Sequence, residues 1–299
     1  MDGILIVYKE KGYTSHDVVA KLRGILHQRK IGHTGTLDPH AEGVLPVCLG
    51  NATKLCDMLT DRSKSYQAGV RFGIETDTQD IFGQIIDQKE VSITKEQIAA
   101  ATESFIGEYS QIPPMYSAKK MNGKKLYELA RQGKTIERKP CNVQIDAIRI
   151  EEIELPDMVM TVDCSKGTYI RTLCHDIGQK LGCGACMTSL LRTRVGTFSL
   201  EQALTLAQIE EKQKAAMLKP YIIPVEEAFC QHPEATVKPE AERFLMNGNR
   251  LEQNDFKDNV PKAEMIRVRD SHGQFQAVYG WDNEKNDFKP IKMFLRSDI

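Results

Sequence analysis

The sequence has no uninterrupted apolar run of about 18 residues, the length that a membrane-spanning helix needs. Its first residues include an acid, Asp2, followed by only five consecutive apolar residues at positions 4–8. That run is too short for the apolar region of a secretory signal. A protein with no membrane segment and a cytoplasmic location is therefore expected.

Motifs of several common enzyme classes are also missing. The sequence contains no P-loop, no HExxH and no GxSxG. The stretch GCGACM at 182–187 lacks the third glycine and the preceding strand of a dinucleotide-binding turn. TDTQD at 76–80 lacks the later glutamate of a calcium loop, and the pair His33 and His40 has no third neighbour to complete a metal site.

The eight cysteines are scattered among apolar segments. In a cytoplasmic chain, reduced thiols packed as small hydrophobic side chains are expected. One alternative stays open, a zinc site that combines the CxxC pair Cys183 and Cys186 with Cys164, Cys174 and His175. The position of Cys174 in the middle of a predicted helix argues against it.

Positive charge is concentrated in one stretch. Residues 119–139 have a local balance of +6, whereas the whole chain has a net charge of −1. A solvated basic helix and a surface that contacts phosphates both agree with this pattern.

Strand and helix patterns alternate along the first 200 residues. Short apolar or alternating runs predict strands at 3–8, 65–73, 158–164 and 192–200. Helical spacing predicts a helix capped by Thr14 or Ser15, a second at 93–107, and a third capped by Thr168 and closed by Gly182. Four prolines between 220 and 239 indicate a domain border, and alternating runs beyond it predict a small β module.

Three residues are candidates for chemistry. Asp38 lies in GHTGTLDPHAEGVLP, a loop in which glycines and Pro39 fix an irregular backbone, although an aspartate there can also simply bind its own turn. Arg171 borders the apolar stripe of a helix, where it can hold a carboxylate or lie at the surface. Tyr66 shares a strand face with Ala68 and is either a core aromatic or a residue at a cleft.

Four stretches resemble the bacterial tRNA pseudouridine-55 synthase (TruB) family: YKEKGYTSHDVV, GHTGTLDPHAEGVLPVCLGNATK, KSYQAGVRFGIETDTQDIFG and CSKGTYIRTLCHDIGQKLGCGA. They follow one another in the family's order over residues 3–200. The resemblance implies an α+β pseudouridine-synthase fold, with a mixed, mainly antiparallel sheet flanked by helices. It also implies a catalytic domain over 1–232, with a basic RNA-gripping insertion at about 115–143, and a β-rich, PUA-like RNA-binding domain over 233–299.

The resemblance also implies roles for individual residues. Asp38 matches the catalytic aspartate, Tyr66 the active-site tyrosine and Arg171 the arginine that pairs with the aspartate. The walls of the uridine pocket are expected from Tyr66, Tyr169 and Leu190, with His33 near the displaced base. Expected RNA contacts are Lys9, Lys119, Lys120, Lys124, Lys125 and Arg192. The sequence departs from the family pattern at Glu10, where proline is common, and at Leu191, where a second arginine is common.

The expected activity is isomerisation of uridine 55 in the T-arm of tRNA to pseudouridine, with Asp38 as nucleophile and the base flipped out of its stack. The reaction neither oxidises nor hydrolyses, so no cofactor or metal is expected. The expected partner is tRNA alone, with the protein a monomer. Three alternatives stay open: another RNA target, an RNA-binding or RNA-folding role, and a glycoside or nucleoside hydrolase that uses Asp38.

Overall fold

The computed structural model of the protein describes residues 1–117, 119–121, 123–134 and 136–295. The strands of the first 232 residues are β1 Gly3–Lys9, β2 Ile31–His33, β3 Glu42–Leu49, β4 Lys64–Phe72, β5 Ile74–Thr76, β6 Ile85–Gln88, β7 Gly107–Gln111, β8 Lys120–Met121, β9 Lys124–Lys125, β10 Cys141–Glu154, β11 Asp157–Cys164, β12 Ala185–Val195, β13 Phe198–Ser199 and β14 Ile222–Ile223. Those that follow are β15 Glu234–Thr236, β16 Ile266–Arg269, β17 Phe275–Asp282 and β18 Asp287–Met293. The α-helices are α1 Ser15–Leu26, α2 Cys56–Thr60, α3 Lys95–Glu103, α4 Leu126–Arg131, α5 Ile170–Leu181, α6 Leu206–Lys214 and α7 Glu242–Met246.

One large sheet organises the protein. Within the described ranges it has ten strands, eight of them in the order β14-β1-β3-β12-β4-β11-β10-β7, while β2 pairs with β3 and β13 with β12. Its pairs are antiparallel except for β3 with β12, which run parallel. Helices pack on this sheet, so the expected mixed, mainly antiparallel α+β architecture is confirmed.

Local sequence explains the elements that carry the site. Helix α1 begins where the Thr14 side chain accepts from the backbone N–H of Asp17, and the Asp17 carboxylate accepts in return from the Thr14 N–H. Strand β4 places Tyr66, Ala68 and Val70 on one face of the sheet, and all three are buried. Helix α5 ends at Gly182, whose φ of 79° is the left-handed conformation that glycine adopts readily.

Two local expectations were wrong. Thr168 does not cap α5, since its hydroxyl donates to the Ser165 carbonyl and the helix begins after Tyr169 without a side-chain cap. The strand expected at 192–200 starts at Ala185 and ends at Val195, because the run from Ala185 pairs with β4 along its length. A CxxC pattern next to glycines hid the start of that strand.

The basic stretch lies in the connection between β7 and β10, two adjacent antiparallel strands. It includes the short pair β8 and β9 and helix α4. Ser117, two residues before this stretch, lies on the wall of the cavity described below.

The β module after the proline-rich segment is confirmed, with a four-stranded sheet in the order β15-β16-β17-β18. The domain border at 232–233 stays a prediction. One hydrophobic cluster contains side chains from both sheets: Ile4 and Ile6 of β1, Phe229, Val278 of β17 and Phe294. In the described part of the chain, no helix has the length and apolar character to cross a membrane.

Candidate active site

A cavity of about 490 Å³ opens where β4, β12, the start of α5 and the loop after β2 meet. Its size lies within the roughly 300–1,000 Å³ range of small-molecule pockets. Polar and charged residues on its wall are Thr36, Asp38, Thr60, Lys64, Tyr66, Ser117, Lys166, Thr168, Tyr169, Arg171 and Arg192. They include the three candidates for chemistry that the sequence indicated: Asp38, Tyr66 and Arg171.

A buried lysine, Lys9, binds the backbone of the loop that carries Asp38. The Lys9 ammonium donates to the carbonyl oxygens of Pro39 (3.2 Å), Ala41 (2.5 Å) and Glu10 (3.1 Å). The side chain is fully buried, and burial lowers the pKa of Lys9 to about 8. Because Pro39 and Ala41 both follow Asp38 in the loop, Lys9 fixes the backbone on the C-terminal side of Asp38.

Arg171 is the centre of a buried network of charges. Its Nε lies 3.1 Å from Asp38 Oδ2, and its Nη1 lies 3.3 Å from Asp80 Oδ2. The remaining donors bind the carbonyl oxygens of Thr78 (3.0 Å) and Tyr116 (2.8 Å). The Arg171 side chain is only 6% exposed, whereas Asp38 is 41% exposed. The arginine is therefore a fixed support, and the carboxylate that it holds faces the cavity.

Tyr66 and Arg192 are direct cross-strand partners on β4 and β12. Both are buried and both line the cavity. Burial raises the pKa of the Tyr66 hydroxyl, while the charge and hydrogen bond of Arg192 partly oppose that rise. The Arg192 guanidinium also donates to the carbonyls of Val44 (2.8 Å) and Gly35 (3.1 Å). Arg192 therefore joins the tyrosine strand to the turn that leads to Asp38.

Tyr169 and Leu190 also line the cavity, at positions where pocket walls were expected. His33 does not belong to its wall. It ends β2, where burial and the nearby His16 and Arg192 lower its pKa to about 4, so its ring is neutral at physiological pH. Its Nδ1 is buried, and no described residue forms a hydrogen bond with it.

Among the expected RNA contacts, Lys9 and Arg192 are buried, and their contact with RNA stays a prediction. They are 0% and 1% exposed, and their donors bind backbone carbonyls. Lys119 is partly exposed and donates to the thiol of Cys141. The side chains of Lys120, Lys124 and Lys125 lie outside the described residues, so their contact with RNA stays a prediction.

Sequence reasoning missed two residues of the site. Asp80 belongs to the TDTQD run, which had been considered only as an incomplete calcium loop, yet its carboxylate is the second acidic partner of Arg171. Lys64 lines the cavity and donates to the carbonyls of Thr60 (2.8 Å) and Arg62 (2.6 Å), and burial lowers its pKa to about 8. Lys64 lies two residues before Tyr66 on β4, and this spacing could have indicated that Lys64 faces the same site.

The thiols considered for a zinc site are buried and unpaired: Cys164, Cys174, Cys183 and Cys186. Over the described part of the chain, no three His, Cys, Asp or Glu side chains form a group that could hold a metal ion.

Comparison with known proteins agrees with this fold. Residues 23–170 match the TruB family pseudouridylate synthase N-terminal domain, and residues 171–230 match the tRNA pseudouridylate synthase B C-terminal domain. A solved structure described as a Cbf5-Nop10-Gar1 complex is 26% identical, with a TM-score of 0.74 over 99% of this chain and 86% of that one. Another, an H/ACA RNP bound to a substrate RNA containing 2'-deoxyuridine, is 25% identical with a TM-score of 0.72, over 99% of this chain and 86% of that one.

Fold and site together define a pseudouridine synthase, an isomerase. Among curated relatives, the tRNA pseudouridine synthase B of Lachnoclostridium phytofermentans is 54% identical over 99% of this chain and all of its own length. That of Clostridium kluyveri is 43% identical over 99% of this chain and all of its own length. The chain belongs to the TruB family of pseudouridylate synthases.

Proposed function

We propose that this protein isomerises uridine 55 in the T-arm of tRNA to pseudouridine, with Asp38 as the nucleophile and without a cofactor. The observation that carries the proposal is the half-exposed Asp38 carboxylate, which Arg171 holds at the wall of a 490 Å³ cavity. The relatives named tRNA pseudouridine synthase B support tRNA as the substrate.

The isomerisation breaks the bond between C1′ and N1, turns the uracil and joins C1′ to C5, and the C5 proton leaves as N1 gains one. Atoms and electrons balance within the nucleotide, so neither an oxidant nor water is consumed. A carboxylate next to an anomeric carbon can form a bond to C1′ with its own electron pair while the pair of the C1′–N1 bond leaves with the uracil, as in retaining glycosidases. The carboxylate is released again when C5 of the turned uracil bonds to C1′. Asp38 supplies this carboxylate, and the four contacts of Arg171 keep it in place.

The cavity favours a flipped nucleotide. Asp38 lies on its wall with Tyr66, Tyr169 and Leu190, so a uridine has to leave its stack to reach the carboxylate. The Tyr66 ring offers a face on which uracil can stack. Its hydroxyl remains protonated at neutral pH, because burial raises its pKa. Tyr66 therefore acts as a pocket wall. Its hydroxyl can accept a proton only after it has donated its own.

The proposal is tested by chemical mapping of pseudouridine in unmodified tRNA after incubation with the purified protein. The expected result is one new pseudouridine, at position 55, with no metal or cofactor added. No new pseudouridine, or pseudouridine only at other positions, overturns the assignment. Light scattering of the same preparation tests the proposed monomer, with and without tRNA.

The role of Asp38 is tested by Asp38→Asn, which keeps the size of the side chain and removes the charge. Turnover should disappear while the dissociation constant for tRNA stays within about threefold of the parent value, which corresponds to less than roughly 0.7 kcal/mol. Asp157→Asn is a matched control, because Asp157 is 42% exposed and pairs with an arginine, Arg71, at 2.6 Å, away from the cavity wall. Residual activity of Asp38→Asn within about tenfold of the parent, roughly 1.4 kcal/mol of barrier, would exclude a nucleophilic role.

A further inference from the structure

Two aromatic rings stack on each other at the edge of the active site. The His40 and Phe82 ring centroids are 3.8 Å apart with an interplanar angle of 18°. The Lys11 ammonium lies 5.1 Å from the centroid of the Phe82 ring. His40 and Lys11 are exposed, and Phe82 keeps 49% of its surface exposed despite these contacts.

Both rings are attached to the catalytic network by short stretches of backbone. His40 is two residues from Asp38 and follows Pro39, whose carbonyl is held by the Lys9 ammonium. Phe82 is two residues from Asp80, and its N–H donates to the Asp80 carboxylate at 3.1 Å. The stacked pair therefore has a fixed position relative to the Asp38–Arg171–Asp80 network.

Phe82 also belongs to an unusual concentration of exposed apolar surface. Ile85 and Ile86 on β6 are 59% and 63% exposed, so three large apolar side chains within five residues face solvent. Of these three side chains, Phe82 has the aromatic ring, which is the part that can stack on a nucleobase.

We propose that the His40–Phe82 pair, with Lys11, is a stacking platform for an unpaired nucleobase of the substrate RNA adjacent to the nucleotide in the cavity. The inference rests on the proposed function, since it takes its ligand from the same RNA. Flat aromatic faces combined with a cation match a base and its phosphate, because every nucleobase has a face that stacks without regard to sequence. When the target uridine leaves its stack, a neighbouring base loses a stacking partner, and the platform supplies a new one.

The test uses the full-length protein and measures two quantities for each variant, the dissociation constant for unmodified tRNA and the single-turnover rate at saturating protein. Phe82→Ala should raise the dissociation constant roughly tenfold, within the range measured for loss of one base–aromatic stack. The saturated rate should stay within about threefold of the parent. Phe82→Trp should restore binding, because the larger ring also stacks. Lys11→Gln should reduce the salt slope of binding by about one phosphate contact.

Ile86→Ala is the matched control, because it removes exposed apolar surface from the same hairpin without touching either ring. It should bind tRNA as the parent does. Unchanged binding by Phe82→Ala overturns the platform. A loss by Ile86→Ala equal to that by Phe82→Ala also overturns it, since the surface would then be a general apolar interface of the kind that a protein partner uses. Failure of the proposed function is distinguishable, because the parent protein would then bind tRNA without forming pseudouridine.

Discussion

Asp80 provides the sharpest test of the charge network, because Asp80→Asn removes a charge and leaves the shape nearly unchanged. In the parent, the Asp80 carboxylate lies 3.3 Å from Arg171 Nη1, is 15% exposed, and accepts from the Thr78 hydroxyl at 2.9 Å. Asparagine has one acceptor oxygen, so its NH2 group has to face either Arg171 or the Thr78 hydroxyl and the Phe82 N–H, which bind the other oxygen in the parent. The variant therefore removes the second negative charge on Arg171 together with part of the hydrogen bonding around it.

The magnitude follows from the difference between charged and neutral hydrogen bonds. A hydrogen bond to a charged group contributes about 1.5–3 kcal/mol and a neutral one about 0.5–1.5 kcal/mol, so the variant loses roughly 1–2 kcal/mol. Asp80 fixes Arg171, and Arg171 fixes Asp38, so this loss should appear as less accurate placement of the nucleophile. The expected result is a single-turnover rate reduced by about 5–30-fold with an unchanged dissociation constant for tRNA.

The assay is release of tritium from tRNA that carries tritium at C5 of uridine, since that hydrogen leaves when C1′ joins C5. Asp77→Asn is the control variant, because Asp77 lies in the same run, is exposed, and binds the Gln84 N–H rather than Arg171. If Asp80→Asn reacts as fast as Asp77→Asn, Arg171 needs only one carboxylate and the network reasoning is refuted. A loss confined to binding would also refute it.

Three further predictions concern backbone and burial. Lys9→Met should leave the tRNA dissociation constant and its salt slope unchanged in filter binding, because the ammonium is buried under the Asp38 loop. A salt slope lower by about one phosphate contact would instead show that Lys9 contacts a phosphate. Gly43→Ala should lower the free energy of unfolding, measured with urea, by more than about 3 kcal/mol. The reason is that φ at Gly43 is 106° and an added Cβ would lie 2.2 Å from the Arg192 carbonyl oxygen. An unchanged urea midpoint would contradict this. Burial lowers the pKa of His33 to about 4 in the folded protein, below its ordinary value of 6.5. As the pH falls, the unfolded chain therefore takes up the proton first, and the free energy of unfolding of the parent should fall by on the order of 3 kcal/mol at most between pH 6.5 and pH 4. His33→Asn should lose less over that range in urea unfolding at the two pH values, and an equal loss would assign the pH dependence to other groups.

The sequence predicted the elements that bear the site better than the contacts inside it. Strict alternation in β4 and helical spacing in α5 placed Tyr66 and Arg171 on the correct elements, because these periodicities depend on local geometry. The family resemblance correctly indicated the fold class, and the structure brings Asp38 and Arg171 together although 132 positions separate them. The role assigned to each residue stays a prediction until the variants are measured.

The sequence did not reveal that the cations Lys9 and Arg192 are buried. A lysine or arginine is expected at the surface, and its pattern does not reveal that distant backbone carbonyls will surround it. The carbonyls around Lys9 come from a loop 30 residues away, and those around Arg192 from residues about 150 positions earlier. Asp80 escaped notice for the same reason, because its partner Arg171 lies 91 residues later.

The cluster shared by the two sheets has a consequence for the order in which the chain folds during synthesis. Ile4 and Ile6 are made well before Val278 and Phe294, which belong to the same cluster. The Asn51 side chain likewise donates to the Leu295 carbonyl at 3.0 Å. Until Val278 and Phe294 have left the ribosome, this side of β1 lacks those packing partners. The nascent protein should therefore expose an incomplete apolar surface up to that point, and become more resistant to protease once Phe294 has emerged.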